Sequence, residues 1–339
     1  MANRRLLPMP HSRNLAPACL LACASAALAS VVLAGCGGSS SAAPPPASTG
    51  TTTQTTTLPG AGRPQVTIGD KNYTEQFVLG ELYYQALQAQ GFPVLLNQNI
   101  GPTEVTLQAL KTGQLGMYPE YLNVWDSSVA GYTRNFKVRH SAYVAGQRYA
   151  LAHGLVLLDP TPFSDTSAIG VTVSFAQQHR LRTIGDLRKV ASTMTLGAAP
   201  QLEQDPTGLP ALEQAYGFTP AALRPLEIGK QYQALDQGTV EAAYVNTTDA
   251  ELTTGNYTLL ADPLRAFGVG NVVPITSGQV LDQEGPAFEE TINRVSSLLT
   301  LDTIRELNAE VDLSGEDPAA LAKRFLVDHG VVPAPSTTG

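Results

Sequence analysis

Two stretches of this 339-residue chain set residues able to grip a small anion beside the start of a helix. Lys71, Asn72 and Thr74 follow the apolar run Val66-Thr67-Ile68, and Thr103 with Glu104 follows Gly101-Pro102. The free amides of a helix's first turn are partly positive and receive carboxylates. A threonine hydroxyl at that place can accept one of those amides as a cap; for Thr74 it would be the amide of Gln76 or Phe77. Lys71 would add a full charge, or else stand as an ordinary solvated lysine. Glu75 and Glu104 are favoured in a first turn for stability alone. No catalytic constellation accompanies them: there is no Gly-x-Ser-x-Gly elbow, no His-Glu-x-x-His and no Gly-x-x-x-x-Gly-Lys loop. Gly268-Val269-Gly270 lacks the third glycine of a dinucleotide fingerprint and reads as a turn. The five histidines (11, 140, 153, 179 and 329) show no ligand spacing, so neither a metal nor a cofactor is expected.

The elements that must position these residues follow from the hydrophobic pattern. Val66 to Ile68 reads as a strand, and Leu79, Leu82, Tyr83, Ala86 and Leu87 recur at helical spacing until Gly91. Pro93 to Leu96 is a second strand, Thr103 opens a helix that ends at Gly113, and Leu115 to Tyr118 is a third strand. Strand–helix–strand–helix–strand implies a mostly parallel sheet with helices on its faces. A similar rhythm returns with strands at 168–173, 195–197 and 240–245 and helices at 184–190, 209–216 and 231–237. Ala109-Leu110-Lys-Thr-Gly113-Gln-Leu115 has an echo in Ala234-Leu235-Asp-Gln-Gly238-Thr-Val240, as two αβ lobes would produce and as chance also allows. Further on, Phe288, Ile292, Val295 and Leu299 form one helical stripe, and Leu321, Phe325 and Leu326 belong to another.

Residues 1–64 carry Arg4, Arg5, Arg13 and Arg63 and no acid, which leaves 17 of the 21 bases against all 29 acids in the remainder, a formal charge of −12. That balance is wrong for a nucleic-acid binder. A basic start followed by an apolar run from Leu15 to Leu33 reads as a secretory signal. Leu33-Ala34-Gly35-Cys36 resembles the bacterial lipobox, which implies that residues 1–35 are removed and that Cys36 carries lipid. Cys19 and Cys23 would leave with the signal, so the globular part has no thiol. Residues 36–64, almost wholly Gly, Ser, Ala, Pro and Thr after the cysteine, are expected to be a disordered tether reaching on the order of 30 Å. The tail 333–339 is expected to be disordered by composition.

Asp70-Lys71-Asn72-Tyr73-Thr74-Glu75-Gln76 resembles the first motif of the substrate-binding proteins of osmoprotectant ABC importers, the glycine betaine, choline and carnitine family. Gly101-Pro-Thr103-Glu104, Tyr118-Pro119-Glu120-Tyr121, Asp165-Thr166, Gly208-Leu-Pro-Ala-Leu-Glu-Gln-Ala-Tyr216-Gly217, Thr247-Thr248-Asp249 and Glu306-Leu307-Asn308 match in the same order. The resemblance implies an α/β, two-lobed periplasmic-binding-protein fold of type II with the ligand cleft between the lobes. Lobe 1 would be 65–168 with 269–332, and lobe 2 would be 169–268. It implies a monomeric, extracytoplasmic, lipid-anchored, non-enzymatic protein that passes a small solute to permease and ATPase subunits. A ligand sensor signalling to a membrane partner would use the same scaffold. The ligand residues it implies are Lys71, Asn72, Thr74, Thr103, Glu104, Tyr121, Asp165, Thr166, Ser167, Asn246, Thr247 and Asn271.

Relatives that bind quaternary ammonium compounds surround the methylated nitrogen with tyrosines, whose faces attract a cation that cannot donate hydrogen bonds. The four usual positions fall here on Tyr121, Ser167, Asn246 and Gly270, of which only the first is aromatic. Tyr118, Trp125 and Phe267 are either replacement faces or core. Ser167 and Asn246 suit a ligand with hydroxyl, amide or carboxyl groups, so the expected solute is polar or phenolic rather than tightly held glycine betaine.

Overall fold

Residues 57–205 and 208–334 are described by the structure, a computed structural model. The signal, Cys36, most of the tether and residues 335–339 lie outside the described residues. The chain first lays down β1 (Val66–Gly69), α1 (Thr74–Ala89), β2 (Val94–Asn97), α2 (Thr103–Lys111) and β3 (Met117–Tyr121). After these come α3 (Leu122–Val124), α4 (Arg139–Ala152) and β4 (Leu155–Leu157). A crossover leads to β5 (Ser167–Thr172), α5 (Val173–His179), β6 (Thr195–Ala198), α6 (Leu209–Tyr216) and β7 (Ala222–Pro225). Next are α7 (Gln231–Asp236), β8 (Ala242–Asn246) and β9 (Tyr257–Leu259). The chain then returns through β10 (Val272–Ser277) to α8 (Gly278–Glu284), α9 (Pro286–Leu298), α10 (Leu301–Asp312) and α11 (Pro318–Asp328).

The strands form two five-stranded sheets, ordered β2-β1-β3-β10-β4 and β7-β6-β8-β5-β9. Each has three adjacent parallel strands, as the pattern predicts, but the fourth strand pairs antiparallel with both of its neighbours, so both sheets are mixed. The physical reason is the crossover. β10 returns from the second sheet to the first, and β5 enters the second from the first, so each arrives at its neighbour head-on.

The expected stripes make the core. On α1 Leu79, Leu82, Tyr83, Ala86 and Leu87 are fully buried, together with Phe288, Ile292, Val295 and Leu299, in one cluster on the first sheet. Gly91 takes φ +82° after α1, and Gly113 takes +74° after α2, the left-handed backbone that glycine supplies without strain. The sequence echo is structural. Gly238 (φ +60°) follows α7 as Gly113 follows α2, and each helix leads into the third strand of its sheet.

Three local readings are corrected. Ile184 to Lys189 is a 3₁₀ helix, tightened by a reciprocal cap between Thr183 and Asp186. The end of the supposed tether is fastened to the domain: Gly60 N donates to Gln90 O at 2.9 Å and Arg63 donates to Gln283 O at 3.0 Å. Gly60 lies so close to Phe92 that a Cβ would clash with its backbone. Neither Thr74 nor Thr103 is a cap. Tyr73 and Pro102 precede the helices, and both hydroxyls have tertiary partners instead. Among the described residues no helix is long and apolar enough to cross a membrane.

Candidate functional site

The C-terminal ends of the parallel strands bring most of the candidate residues to one edge of each sheet, where αβ folds place ligands. At the first sheet, Lys71 follows β1, Thr103 opens α2 and Tyr121 ends β3. Lys71 is buried, and its ammonium pairs with fully buried Glu120 and donates to Thr103 Oγ1 at 2.9 Å. Thr103 donates onward to Glu120 Oε2 at 3.0 Å, and the Tyr121 amide donates to Oε1 at 2.8 Å. Lys71 is therefore neither a solvated lysine nor a free charge for a ligand carboxylate, because Glu120 neutralises it. Sequence reasoning quoted Glu120 inside a motif but did not nominate it. The signal was available: a glutamate inside a short strand that is otherwise buried needs a cation.

Next to this network lies an unbalanced group of carboxylates. Tyr121 donates its hydroxyl to Glu75 Oε1 at 2.6 Å, and Asn308 Nδ2 donates to Glu75 Oε2 at 2.9 Å and to Thr248 O at 3.0 Å. Burial pushes the Glu75 carboxyl above its usual range, against the hydrogen bonds from Tyr121 and Asn308. Asp165 is pushed well above its range, by burial first and then by the charges of Glu75 and Asp249. Asp249 is raised by burial as well. Asp165 Oδ1 is buried and accepts no hydrogen bond. With Lys71 taken by Glu120, Glu75 and Asp165 face each other's charge with no ion-pair partner among the described residues.

Tyr73, absent from the candidate list, joins this group. The residue is 40% exposed, and its ring lies 6.1 Å from that of the buried Tyr121, tilted by 31°. Both phenols lie close enough to Asp165 to feel its charge. The signal for it is an aromatic inside the Lys71-Asn72-Tyr73 turn itself. Tyr118, Trp125 and Phe267, the suggested replacement faces, are core residues: the first two pack with Leu122 and Ile275, and Phe267 stacks edge-on against Tyr244.

The crossover and the second sheet supply the other candidates. Ser167 and Asn246 are cross-strand partners at the ends of β5 and β8. Thr247 closes the crossover: its hydroxyl accepts from the Thr166 amide at 3.0 Å and donates to Ser164 O at 2.8 Å, while Arg305 donates to its carbonyl at 2.7 Å. Gly270 N donates to Ser164 Oγ at 2.8 Å, and a Cβ there would stand 1.9 Å from Asp165 O. No aromatic side chain fits at position 270 on this backbone. Asn271 is buried and donates its amide to Thr161 O and Phe163 O at 2.9 and 2.7 Å, so it fastens the crossover from beneath. Three candidates stay outside the cluster. Asn72 and Glu104 are exposed, and Thr74 donates to Asp312 at 2.7 Å.

Residues 64–328 match the model of the family OpuAC, the substrate binding domain of ABC-type glycine betaine transport systems. The chain is 30% identical over 275 residues to the glycine-betaine-binding protein of Pseudomonas aeruginosa, covering 77% of this chain and 87% of that one. It is 26% identical over 296 residues to the glycine betaine-binding protein YehZ of Escherichia coli, covering 81% and 93%. The solved apo structure of Escherichia coli YehZ superposes with a TM-score of 0.68 at 27% identity, over 80% of this chain and all of that one. A crystal structure of a glycine betaine/carnitine/choline ABC transporter gives 0.72 at 24% identity, over 78% and 99%, a likeness of fold. Matches at this level confirm the two-lobed binding-protein architecture.

Proposed function

The chain belongs to the family of substrate-binding domains of ABC-type glycine betaine transport systems, and from that membership we propose that it captures a small solute with a cationic, quaternary-ammonium head outside the cytoplasmic membrane and hands it to a permease. The observation that carries the cationic head is the Asp165 carboxylate. One of its oxygens is buried without a partner, and it lies beside Tyr73, Tyr121 and a second carboxylate. Aromatic faces and an uncompensated anion attract a cation that has no hydrogen to donate. Gly270 and the two polar residues Ser167 and Asn246 leave this cage more open than one walled by four tyrosines. Closure of the two lobes about the crossovers, a hinge motion, would complete it. Cys36 and the Gly/Ser/Pro/Thr segment after it support a lipid anchor and tether, since a lipidated cysteine holds a domain to a membrane without spanning it.

Ser167 and Asn246 also favour a second reading, a polar or phenolic solute without a fixed positive charge. A thermal-shift screen of the purified full chain separates the two. A ligand at a hundred times its dissociation constant stabilises by about 2.7 kcal/mol, so glycine betaine, choline or carnitine should raise the melting temperature. A shift only with uncharged hydroxylated or aromatic solutes would overturn the cationic assignment. A Cys36→Ser change should move the protein from the membrane fraction to the soluble fraction; retention in the membrane would exclude the lipid anchor.

A further inference from the structure

Along β4, the edge strand of the first sheet, the acidic chain turns basic. Residues 127–158 hold Arg134, Lys137, Arg139 and Arg148 and no acid, which leaves 13 bases against all 29 acids in the rest of the chain after residue 64. The fold gathers these bases on one outer surface. α4 buries Ala142, Gly146 and Ala150 on its inner side. Tyr143 Oη donates to Leu157 O at 3.0 Å and Gln147 Oε1 accepts from Leu157 N at 2.8 Å, so the helix covers the free edge of β4 and is held there. On its opposite side His140, Val144, Arg148 and Leu151 recur at the spacing of one helix face, and all four are exposed. The preceding loop adds Lys137, Val138 and Arg139, and the exposed Arg265 donates to Lys137 O and brings a fifth charge. Among these bases Val138, Val144 and Leu151 stand 52%, 40% and 59% exposed. Asp262, three residues before Arg265, accepts from the Tyr216 hydroxyl, while Asp159 and Glu289 act on Tyr143, on the flank of the helix turned to β4.

We propose that this outer face of α4, with the loop before it, docks on a membrane surface that bears anionic lipid. The chemistry matches twice. Guanidinium and ammonium groups pair with phosphate headgroups, and aliphatic side chains set among them enter the boundary between headgroups and acyl chains. An acidic domain is repelled by such a surface as a whole, but screening confines that force to about a Debye length, on the order of 8 Å. Only the face turned to the lipid then counts, and this face is basic. A patch of this size binds weakly by itself, and here the proposal rests on the anchor and tether proposed above: a domain kept within on the order of 30 Å of the membrane meets it at high effective concentration, so a weak contact suffices. Docked this way, the domain lies with the flank of the first sheet on the lipid.

The test uses the full-length product as the cell processes it, reconstituted in vesicles of phosphatidylcholine alone or mixed with phosphatidylglycerol. The globular part has no cysteine, so Val144→Cys takes an environment-sensitive fluorophore on the proposed face, and Leu223→Cys, exposed on β7, takes it elsewhere. Emission from position 144 should shift to the blue on the anionic vesicles only, and position 223 should show no shift. Raised salt should abolish the shift, and so should Lys137→Glu combined with Arg148→Glu, whose melting temperature checks that the variant folds. Equal emission on the two kinds of vesicle, or a shift that survives the charge reversal, overturns the proposal and leaves the anchor reading in place. A shift that appears only once the permease complex is added also overturns it, because the occupant is then a protein. The unaltered protein should take up no label, since lipid blocks Cys36. Uptake there means that the anchor reading fails, and the patch is then judged by flotation of that protein, which should favour anionic over neutral vesicles; equal flotation overturns the patch as well.

Discussion

Replacing Asp165 by Asn should weaken the ligand and strengthen the empty protein. The side chain keeps its shape and loses its charge. A quaternary nitrogen about 5 Å from the carboxylate is attracted by about 3 kcal/mol at an effective dielectric near 20. At 1.4 kcal/mol per decade this is close to a hundredfold in affinity, and less where salt reaches the cleft. Choline, a cation throughout, should lose more than zwitterionic glycine betaine. In the empty protein burial and the charges of Glu75 and Asp249 raise the Asp165 carboxyl well above its unfolded value. A raised carboxyl gives stability below its unfolded pKa and loses it as pH rises through the folded one. At neutral pH and above, Asp165→Asn should therefore melt higher than the unaltered protein. The same sign governs binding: a cation favours the charged carboxylate, so choline affinity should climb with pH, with protons released on binding, and the variant should flatten that climb. Calorimetry in buffers of different ionisation enthalpy reads affinity and proton release together. Unchanged choline affinity in the variant would refute the assignment of Asp165 to the cation.

Glu120→Gln should cost about 3–5 kcal/mol in urea denaturation, because Lys71 stays buried without its counter-charge; the double change Lys71→Met with Glu120→Leu should recover much of that loss. Asp126 is buried with both carboxyl oxygens unpartnered, and burial pushes it up to about 7 from 3.8. Its contribution is present below about 4 and is lost as pH rises to about 7, at most roughly 4 kcal/mol, so Asp126→Asn should reduce the fall in stability across that window in urea titrations at several pH values. Gly270→Ala should lose about 1–3 kcal/mol through overpacking, since its Cβ would meet the Asp165 carbonyl at 1.9 Å; an unchanged melting temperature would show that the crossover yields freely.

The elements were legible because their signals are local. The α1 stripe and the left-handed glycines after α1, α2 and α7 depend on neighbours a few residues away, and the structure keeps them all. The site was legible only in part, because its chemistry is set by distant partners. Thr103 had the sequence of a cap, yet Lys71 and Glu120, 32 and 17 residues off, claim its hydroxyl. Thr74 is claimed by Asp312, 238 residues away. Lys71 has its charge paired with Glu120, 49 residues on: an ion pair made inside the fold is invisible to a reading of the turn that carries it. Tyr73 was passed over because the four-position pattern of the resemblance did not contain it.

The register of the two sheets gives the proposed cleft two edges of equivalent backbone and different chemistry. In the first sheet β10 meets β3 with Val272 opposite Tyr121; in the second β5 meets β8 with Ser167 opposite Asn246. Since the strand orders correspond one for one, Tyr121 and Asn246 hold equivalent places at the ends of equivalent strands, as do Val272 and Ser167. The backbone thus presents one edge twice, and the side chains give each copy its own chemistry. The first edge is aromatic and carries the carboxyls of Asp165 and Glu75, while the second sets the hydrogen-bonding groups of Ser167, Gln201 and Asn246 beside Glu227. The paired aromatic faces of the first edge, Tyr73 with Tyr121, are therefore what sets the place of the proposed cationic head.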